Sequence, residues 1–516
     1  MKKFPILGKL LLPALFLMTF NNSCTNLDEQ LFDTVTSENF LRTEEEFIAA
    51  LGAAYTGLYQ LGNHGAYFSV QECSSDETMI PQRGGDWGDG GQWINAHRHE
   101  SKPTDPNINN AWNFLYSGVN TCNRLIAQFT TLKDAGSVDA ALADKFIAEL
   151  RVLRAMYYYW LMDTFGNVPL VTRFDVPEGF QPATEPRINI FNFVEQELNE
   201  AVPLLDKKAD GTTYGRMNYY AGKMLQAKLY LNAGVYSGTA RWADCVTACN
   251  EIIGSNLYFL ESTYRNNFIT NNSGSKEFIF AVPFDEVFAQ GFNLAQMTLH
   301  YGSQATYNLQ EQPWNGWCSL QDFYEMHDDA DARKNNFIVG PQFASDGVTP
   351  ILDAGAESND PDGPQVNFTP AINEHFPDAL RQAGARIGKY EFKTGATQSL
   401  SNDMPIFRYA DVLLMKAEAL YRQNASDADA LDLVNQVRNR SYEPDSPLGA
   451  LTDADLLAER GREMFYEGVR RQDLIRFGVY GNATEFMPGS DPCKELWPIP
   501  TAQRNVNPNL AQNPCY

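Results

Sequence analysis

Apolar positions recur at helical spacing over most of this chain, and three stretches share one arrangement. They are LRAMYYYWL from Leu153, LQAKLYLNAG from Leu225 and MKAEALYRQN from Met415. Each sets a small residue, Ala155, Ala227 or Ala417, one turn from a Tyr, as close packing of two helices wants. After the second and third comes a short break and another helical stretch, ARWADCVTACNEII from Ala240 and ADALDLVNQVRNR from Ala428. Similar periodicity runs from about Ile190 to Leu205 and from Leu456 to Arg470, where Glu467 and Arg471 stand four apart as an expected pair on a solvated face.

Helix–turn–helix units of about 34 residues bury their apolar faces only by stacking on one another. The predicted class is therefore mostly α: tetratricopeptide-like repeats forming an α-α superhelix, with loop-rich insertions containing short β-strands. The insertions are read from texture. Between Asn266 and Pro405 the chain turns to Gly, Asn, Asp and aromatic residues, with β-like runs such as EFIFAV from Glu277. A second loop-rich stretch runs from about Gly62 to Asn110. The scaffold is then about 40–60, 111–265 and 405–478, and the insertions about 62–110 and 266–404. Long irregular segments in a compact protein carry function more often than not, so the binding surface belongs there.

The start of the chain reads MKKFPILGKLLLPALFLMTFNNSC. Lys2, Lys3 and Lys9 form a basic front, and the apolar run from Leu10 to Phe20 is about half the roughly 20 residues that span a bilayer. Residues 1–23 are read as a lipoprotein signal peptide and Cys24 as the lipidation site, which anchors the domain by acyl chains. Asn21-Asn22-Ser23 lacks the usual Leu three positions upstream, so ordinary cleavage with Cys24 left as a thiol stays open. Residues 24–516 are read as a single domain.

Composition removes whole classes of partner. The chain has 40 basic and 64 acidic side chains; without the three lysines of the leader the balance is 37 against 64, or −27. Nucleic acid, which needs clustered cations against phosphate, is not an expected partner. Eight cysteines less Cys24 leave an odd seven, so a complete disulfide framework is impossible; Cys493 and Cys515 flank the tail and could pair. Cys245 and Cys249 sit four apart with no His beside them and read as small core residues. His97 and His99 lack a third ligand nearby, so no metal is expected.

Several strings together resemble one family. They are EEEFIAALGAAYTGLY from Glu44, AWNFLYSGVNTCNRLI from Ala111, ELRVLRAMYYYWLMDTFGNVPL from Glu149, FRYADVLLMKAEALYRQ from Phe407, ERGREMFYEGVRRQDLIRFG from Glu459 and LWPIPTAQRNVNPNLAQNPCY from Leu496. In this order they resemble the SusD/RagB family, outer-membrane nutrient-binding lipoproteins of Bacteroidetes that accompany TonB-dependent transporters. The resemblance implies a cell-surface protein, lipid-anchored in the outer membrane and facing outward, that captures oligo- or polysaccharide and delivers it to a SusC-like partner transporter. It implies no cofactor. Arg151, Arg154, Glu459, Arg462 and Glu463 in these strings are expected to form ion pairs, since a charge in a packed helix needs a partner.

Ser74 to Glu100 holds Asp76, Glu77, Arg83, Asp86, Trp87, Asp89 and Trp93 among five glycines. Sugars present apolar C–H faces and a rim of hydroxyls, matched by an aromatic platform and planar polar groups. A second cluster holds Tyr301, Tyr307, Trp314, Trp317 and Cys318. The expected ligand-binding set is Asp76, Arg83, Trp87, Trp93, Trp317 and Cys318, with Trp93, Asp76 and Arg83 at its centre; the resemblance adds Arg386 and Tyr409 as rim donors.

Catalysis is not expected. A glycoside hydrolase needs two carboxylates facing across a bond; Asp76 and Glu77 would diverge, and no acid–base string surrounds Asp86 and Asp89. No G-x-S-x-G, H-E-x-x-H or phosphate-binding loop is present. Two other readings stay open: a peptide-binding member of the same family, and a tetratricopeptide-like scaffold that grips another protein.

Overall fold

The computed structural model describes residues 43–353 and 363–516, so the leader and Cys24 lie outside the described residues. Helices α1 (Glu44–Tyr55), α2 (Tyr67–Cys73) and α3 (Gln92–His97) lead into the long α4 (Pro106–Asp134) and α5 (Ala140–Phe165). Then come α6 (Arg187–Ala201), α7 (Tyr219–Leu231), α8 (Ala233–Ser237) and α9 (Trp242–Ile253). Short helices α10 (Leu294–Thr298), α11 (Gln304–Tyr307) and α12 (Gln321–Glu325) lie in the second insertion. α13 (Tyr409–Gln423), α14 (Ala428–Asn439), α15 (Asp453–Met464), α16 (Arg470–Arg476) and α17 (Thr501–Val506) follow. The chain is mostly helical, as its periodicity predicts.

Helices start where the sequence supplies caps. Asp139, Asn218 and Asp427 each accept a backbone N–H from three residues on, opening α5, α7 and α14, and Thr43 and Thr452 form capping boxes with Glu46 and Asp455. The helices pack on one another: α4 on α5, α5 on α6, α7 on α9, and α13 on both α9 and α14. Ala155, Ala227 and Ala417 are fully buried at these contacts. At Gly118 of α4 a Cβ would lie 2.2 Å from the Tyr157 ring of α5, so only glycine lets these two helices approach as they do.

Strands are few and short. β1 (Thr78–Met79) pairs with β3 (Cys318–Ser319), β2 (Phe278–Val282) with β8 (Met404–Arg408), β4 (Phe337–Ile338) with β7 (Arg386–Ile387), and β5 (Gly340–Pro341) with β6 (Asn367–Phe368), all antiparallel. β1 to β3 ties the first insertion to the second. β2 to β8 ties the second insertion to the start of α13.

Much of the buried charge is paired. Arg333 reaches Asp331 (2.8 Å), Glu459 (2.7 Å) and Glu463 (3.1 Å); Arg408 reaches Glu277 (2.8 Å), Glu463 (2.9 Å) and Glu467 (2.7 Å). Arg440 joins Glu277 and Glu463, and Lys389 joins Glu467 (2.6 Å). A neighbouring set runs from Lys228 of α7 to Asp411 of α13 (2.6 Å), on to Arg460 of α15 (2.9 Å) and Asp473 of α16 (2.8 Å). In the first repeat Arg154 and Arg151 share Glu197 at 2.6 and 2.8 Å.

Two local expectations are corrected. The helix from Leu456 ends at Met464 rather than Arg470, because Tyr466 turns into the left-handed region with φ 56°. Glu467 and Arg471 consequently do not pair on a solvated face: Glu467 is buried on Lys389 and Arg408, and Arg471 on Asp163 (2.8 Å). In the tail a disulfide joins Cys493 to Cys515, and Cys245 and Cys249 are buried thiols of α9. No helix of the described residues is long and apolar enough to cross a membrane.

Acid should unfold this protein in two stages. Burial holds the imidazoles of His99 and His375 at about 3 and that of His327 at about 4. Their folded values lie below the usual 6.5, so stability is lost as pH falls from about 6.5. Burial alone would raise Glu459 and Glu463, but the guanidiniums of Arg333 and Arg462, and of Arg440, Arg408 and Arg333, outweigh it and hold both at about 2. Their contribution is complete above about 4.5 and lost below it. Urea midpoints measured from pH 8 to 3 should decline below 6.5 and steepen below 4.5. Arg408→Met, which removes one of the two or three cations that each of Glu277, Glu463 and Glu467 shares, should cost about 3–5 kcal/mol at pH 7 in the same titration.

Candidate functional site

Three loops are stitched together at one place on the surface. The first is Gln82–Gln92, whose Arg83 and Asp86 exchange backbone hydrogen bonds of 3.0 and 3.2 Å in a tight turn. The second, Tyr301–Trp317, meets it where the Trp87 indole N–H donates to the Trp314 carbonyl (2.7 Å) and the Tyr301 hydroxyl donates to the Asp86 carboxylate. The third, Asn373–Gly384, meets it through Gln82 N–H to His375 O and Ala379 N–H to Gln82 O, both 3.0 Å.

Most of the expected site residues are the frame of this junction rather than its surface. Arg83 is buried and donates to the carbonyls of Asn315 (2.9 Å), Ala383 (2.9 Å) and Leu380. Arg386 is fully buried and donates to the carbonyls of Ala383 (2.8 Å) and Arg381 (2.6 Å) and to Asn315 Oδ1 (2.9 Å). These guanidiniums hold the second and third loops to each other and spend most of their hydrogens on that task. Asp76 is taken by Arg470 through both oxygens, at 2.7 and 2.9 Å. Cys318 is buried in β3, where burial pushes its thiol up. Tyr409 packs with the apolar core of α13 and α14.

The indoles divide. Trp317 is 1% exposed, with its ring edge-on to Tyr466 at 5.6 Å, and Trp93 is 2% exposed, its N–H donating to Asp89 (2.7 Å). Neither can serve as an open platform, which corrects the expectation that placed Trp93 at the centre. Large aromatic rings leave water first, and loops this tightly tied leave room to bury them. Of the three expected indoles only Trp87 keeps a half-exposed ring.

Trp87 is unusually fixed for a surface residue. Its backbone sits in the left-handed region (φ 62°), its N–H is anchored on Trp314, and its ring rests against Gly316, where a Cβ would come within 2.8 Å of Cε2 and Cζ2. His64 stands edge-on to Trp87 and Trp314, with centroids 5.9 and 5.5 Å away, and packs at 6.3 Å on Trp93 beneath. Burial lowers the His64 imidazole, leaving a neutral ring whose Nδ1 meets the Asn293 amide at 3.0 Å.

Beside these rings lies a polar flank. The Tyr301 phenol is pushed up to about 12, by burial first and then by its hydrogen bond to Asp86. The Arg381 guanidinium lies 5.6 Å from the Tyr301 ring and 3.1 Å from Asp353. An open cleft of about 480 Å³ adjoins them, lined by Asp86, Asp353, Asp378, Leu380 and Arg381 among others, and the expected Arg83, though buried, borders it too. The result is a shelf: half-exposed indoles and a phenol for an apolar face, with carboxylates and a guanidinium for hydroxyls. Tyr301 and Trp314 stood among the aromatic residues of the second insertion, but nothing in the sequence singles them out over Trp317. His64 and Arg381 carried no signal at all, since each joins the shelf only through contacts distant in the chain.

Known proteins share this architecture. The model of the SusD family matches residues 381–516, and a SusD-like model described as starch-binding associating with outer membrane matches 92–233. The starch-binding protein SusD of Bacteroides thetaiotaomicron is 27% identical over 421 residues, 72% of each chain. SusD-like protein P38 of Formosa agariphila is 22% identical over the full length of both. Among solved structures, a SusD superfamily protein from Parabacteroides distasonis superposes with TM-score 0.74 at 22% identity, covering 92% of this chain and all of the other. Surface glycan-binding protein A of Bacteroides thetaiotaomicron, in complex with laminarihexaose, superposes with TM-score 0.72 at 24% identity, covering 91% and 99%. The fold is the tetratricopeptide-like SusD fold, and the chain belongs to the SusD/RagB family.

Since Trp93 fills the floor under the shelf, Trp93→Ala should cost about 3–5 kcal/mol of stability. A urea titration reads it directly; an unchanged midpoint would return Trp93 to the surface.

Proposed function

We propose that this protein is a non-catalytic, cell-surface glycan-binding lipoprotein of the outer membrane. It captures oligo- or polysaccharide and passes it to a partner TonB-dependent transporter. The observation that carries the reading is the Trp87 indole, half-buried, seated on Gly316 and pinned through its N–H, a fixed ring that we read as the stacking surface for a sugar. Ordering a ring in advance removes an entropy cost from binding. Family membership supports it, with relatives whose names are starch-binding and laminarin-binding.

The carboxylates beside the shelf favour holding over cleaving. Asp86 accepts from Tyr301 and Asp89 from Trp93, so each is occupied as a fixed acceptor. A carboxylate so engaged is suited to holding a hydroxyl rather than to acting as half of an acid–base pair across a bond. Delivery follows from the anchor at Cys24: a shallow site of modest affinity works because tethering keeps its cargo at high local concentration beside the importer.

Native gels cast with neutral polysaccharides, starch and laminarin among them, test the binding. Retardation by at least one, weakened roughly tenfold or more by Trp87→Ala at unchanged melting temperature, is the expected result. Absence of retardation, or a Trp87→Ala protein retarded like the native one, would defeat the proposal.

A further inference from the structure

The loop Asn63–Gly65 borders two features. Its middle residue, His64, packs on the rings of the Trp87 shelf. Its flanking residues, Asn63 and Gly65, line a separate open cleft of about 560 Å³. Among the described residues, none of those lining this cleft is charged, in a chain of net charge −24. Its polar groups are the Tyr59 phenol, one serine hydroxyl and five carboxamides: Gln60, Asn63, Asn110, Asn113 and Gln290.

Four of these carboxamides are fixed by one end only. Asn63 Oδ1 accepts the Gly65 N–H (2.8 Å), and Asn113 Oδ1 accepts from Gln503 (2.9 Å), leaving each amino group to the cleft. Asn110 Nδ2 donates to Gly65 O (3.0 Å), and Gln290 Nε2 to Glu286 O (2.8 Å), leaving each carbonyl oxygen. Gln60 is exposed, and its backbone carbonyl accepts the Asn63 N–H (3.2 Å) while its carboxamide makes no hydrogen bond among the described residues. The cleft therefore offers donors and acceptors together, held in place and uncharged. Hydroxyl groups, each donor and acceptor at once, match that set; a carboxylate or sulfate would meet no cation. The turn that supplies Gln290 also carries Phe288, 92% exposed two residues earlier, its backbone N–H held by Asp285 (2.8 Å). The core makes no use of that ring, which the same turn carries two residues from the cleft-lining Gln290 and leaves free to stack.

We propose that this carboxamide cleft is a second carbohydrate subsite, specific for neutral glycans, which takes the continuation of a chain stacked on Trp87 across the His64 loop. The inference rests on the glycan-binding reading of the shelf and adds to it a length and a charge requirement.

Calorimetric titration of the protein with maltose to maltoheptaose and laminaribiose to laminarihexaose tests it, with oligogalacturonides as the anionic series. For the neutral series that binds, affinity should rise about tenfold from disaccharide to hexasaccharide. In Gln60→Ala/Asn113→Ala, where both altered side chains are exposed, that rise should shrink to about threefold or less, and Phe288→Ala should lose part of it. Oligogalacturonides should show no gain with length. A double variant that keeps the native gain, or an anionic series that gains as much, overturns the second subsite while leaving the shelf intact. No binding of any neutral series by the native protein overturns both.

Discussion

Burying an ionic network is the constraint on which the rest of this structure depends. Arg333, Arg408, Arg440 and Lys389 share Asp331, Glu277, Glu459, Glu463 and Glu467 out of contact with water. Removing such charges from solvent costs several kcal/mol per ion, recovered only when every partner is in place. The partners come from distant parts of the chain: Asp331 and Arg333 from the second insertion, Glu277 from the lead into β2, Arg408 from the end of β8, Glu459 and Glu463 from α15. An arrangement missing any one segment leaves an uncompensated charge. The network thus selects a single docking of the insertion on the helices, which apolar packing alone would specify less sharply.

The shelf inherits its rigidity from a different device. Arg83 and Arg386 spend their hydrogens on backbone carbonyls of the second and third loops. A guanidinium with several planar donors is suited to gather carbonyls that a loop cannot satisfy within itself. Loops without regular strands thereby acquire a fixed shape, and a half-exposed indole can be held in one orientation. Charged residues in the insertions are here the support under the proposed ligand surface.

The helices were legible because periodicity, small residues and caps are local signals: Ala155 beside Tyr158 and Asp139 before α5 can be read from a short window. Family-bearing strings gave the fold a second, independent footing. The ion pairs of Arg151, Arg154, Glu459, Arg462 and Glu463 were legible as pairs, though their partners were not. The site was legible as a region, and its residues largely were not. Trp87, Trp93, Trp314 and Trp317 have the same chemistry in the same kind of loop. What separates an open ring from a buried one is which glycine or aromatic edge lies beneath it after folding. Gly316 under Trp87 and Tyr466 beside Trp317 are long-range facts. The early stop of α15 was missed for a related reason: the backbone N–H groups of Tyr466 and Gly468 donate to the carboxyl oxygens of Glu77 and Glu72, and these tertiary bonds outweigh helical propensity.

The seat under Trp87 has an evolutionary reading. A single methyl group added at position 316 would lift the indole from its rest, although that residue presents no side chain to any cargo. A ring held this way can be moved from behind the contact surface, through a position remote from the helical frame. Among descendants of one such gene, diet could diverge through backbone positions that no survey of touching residues would flag.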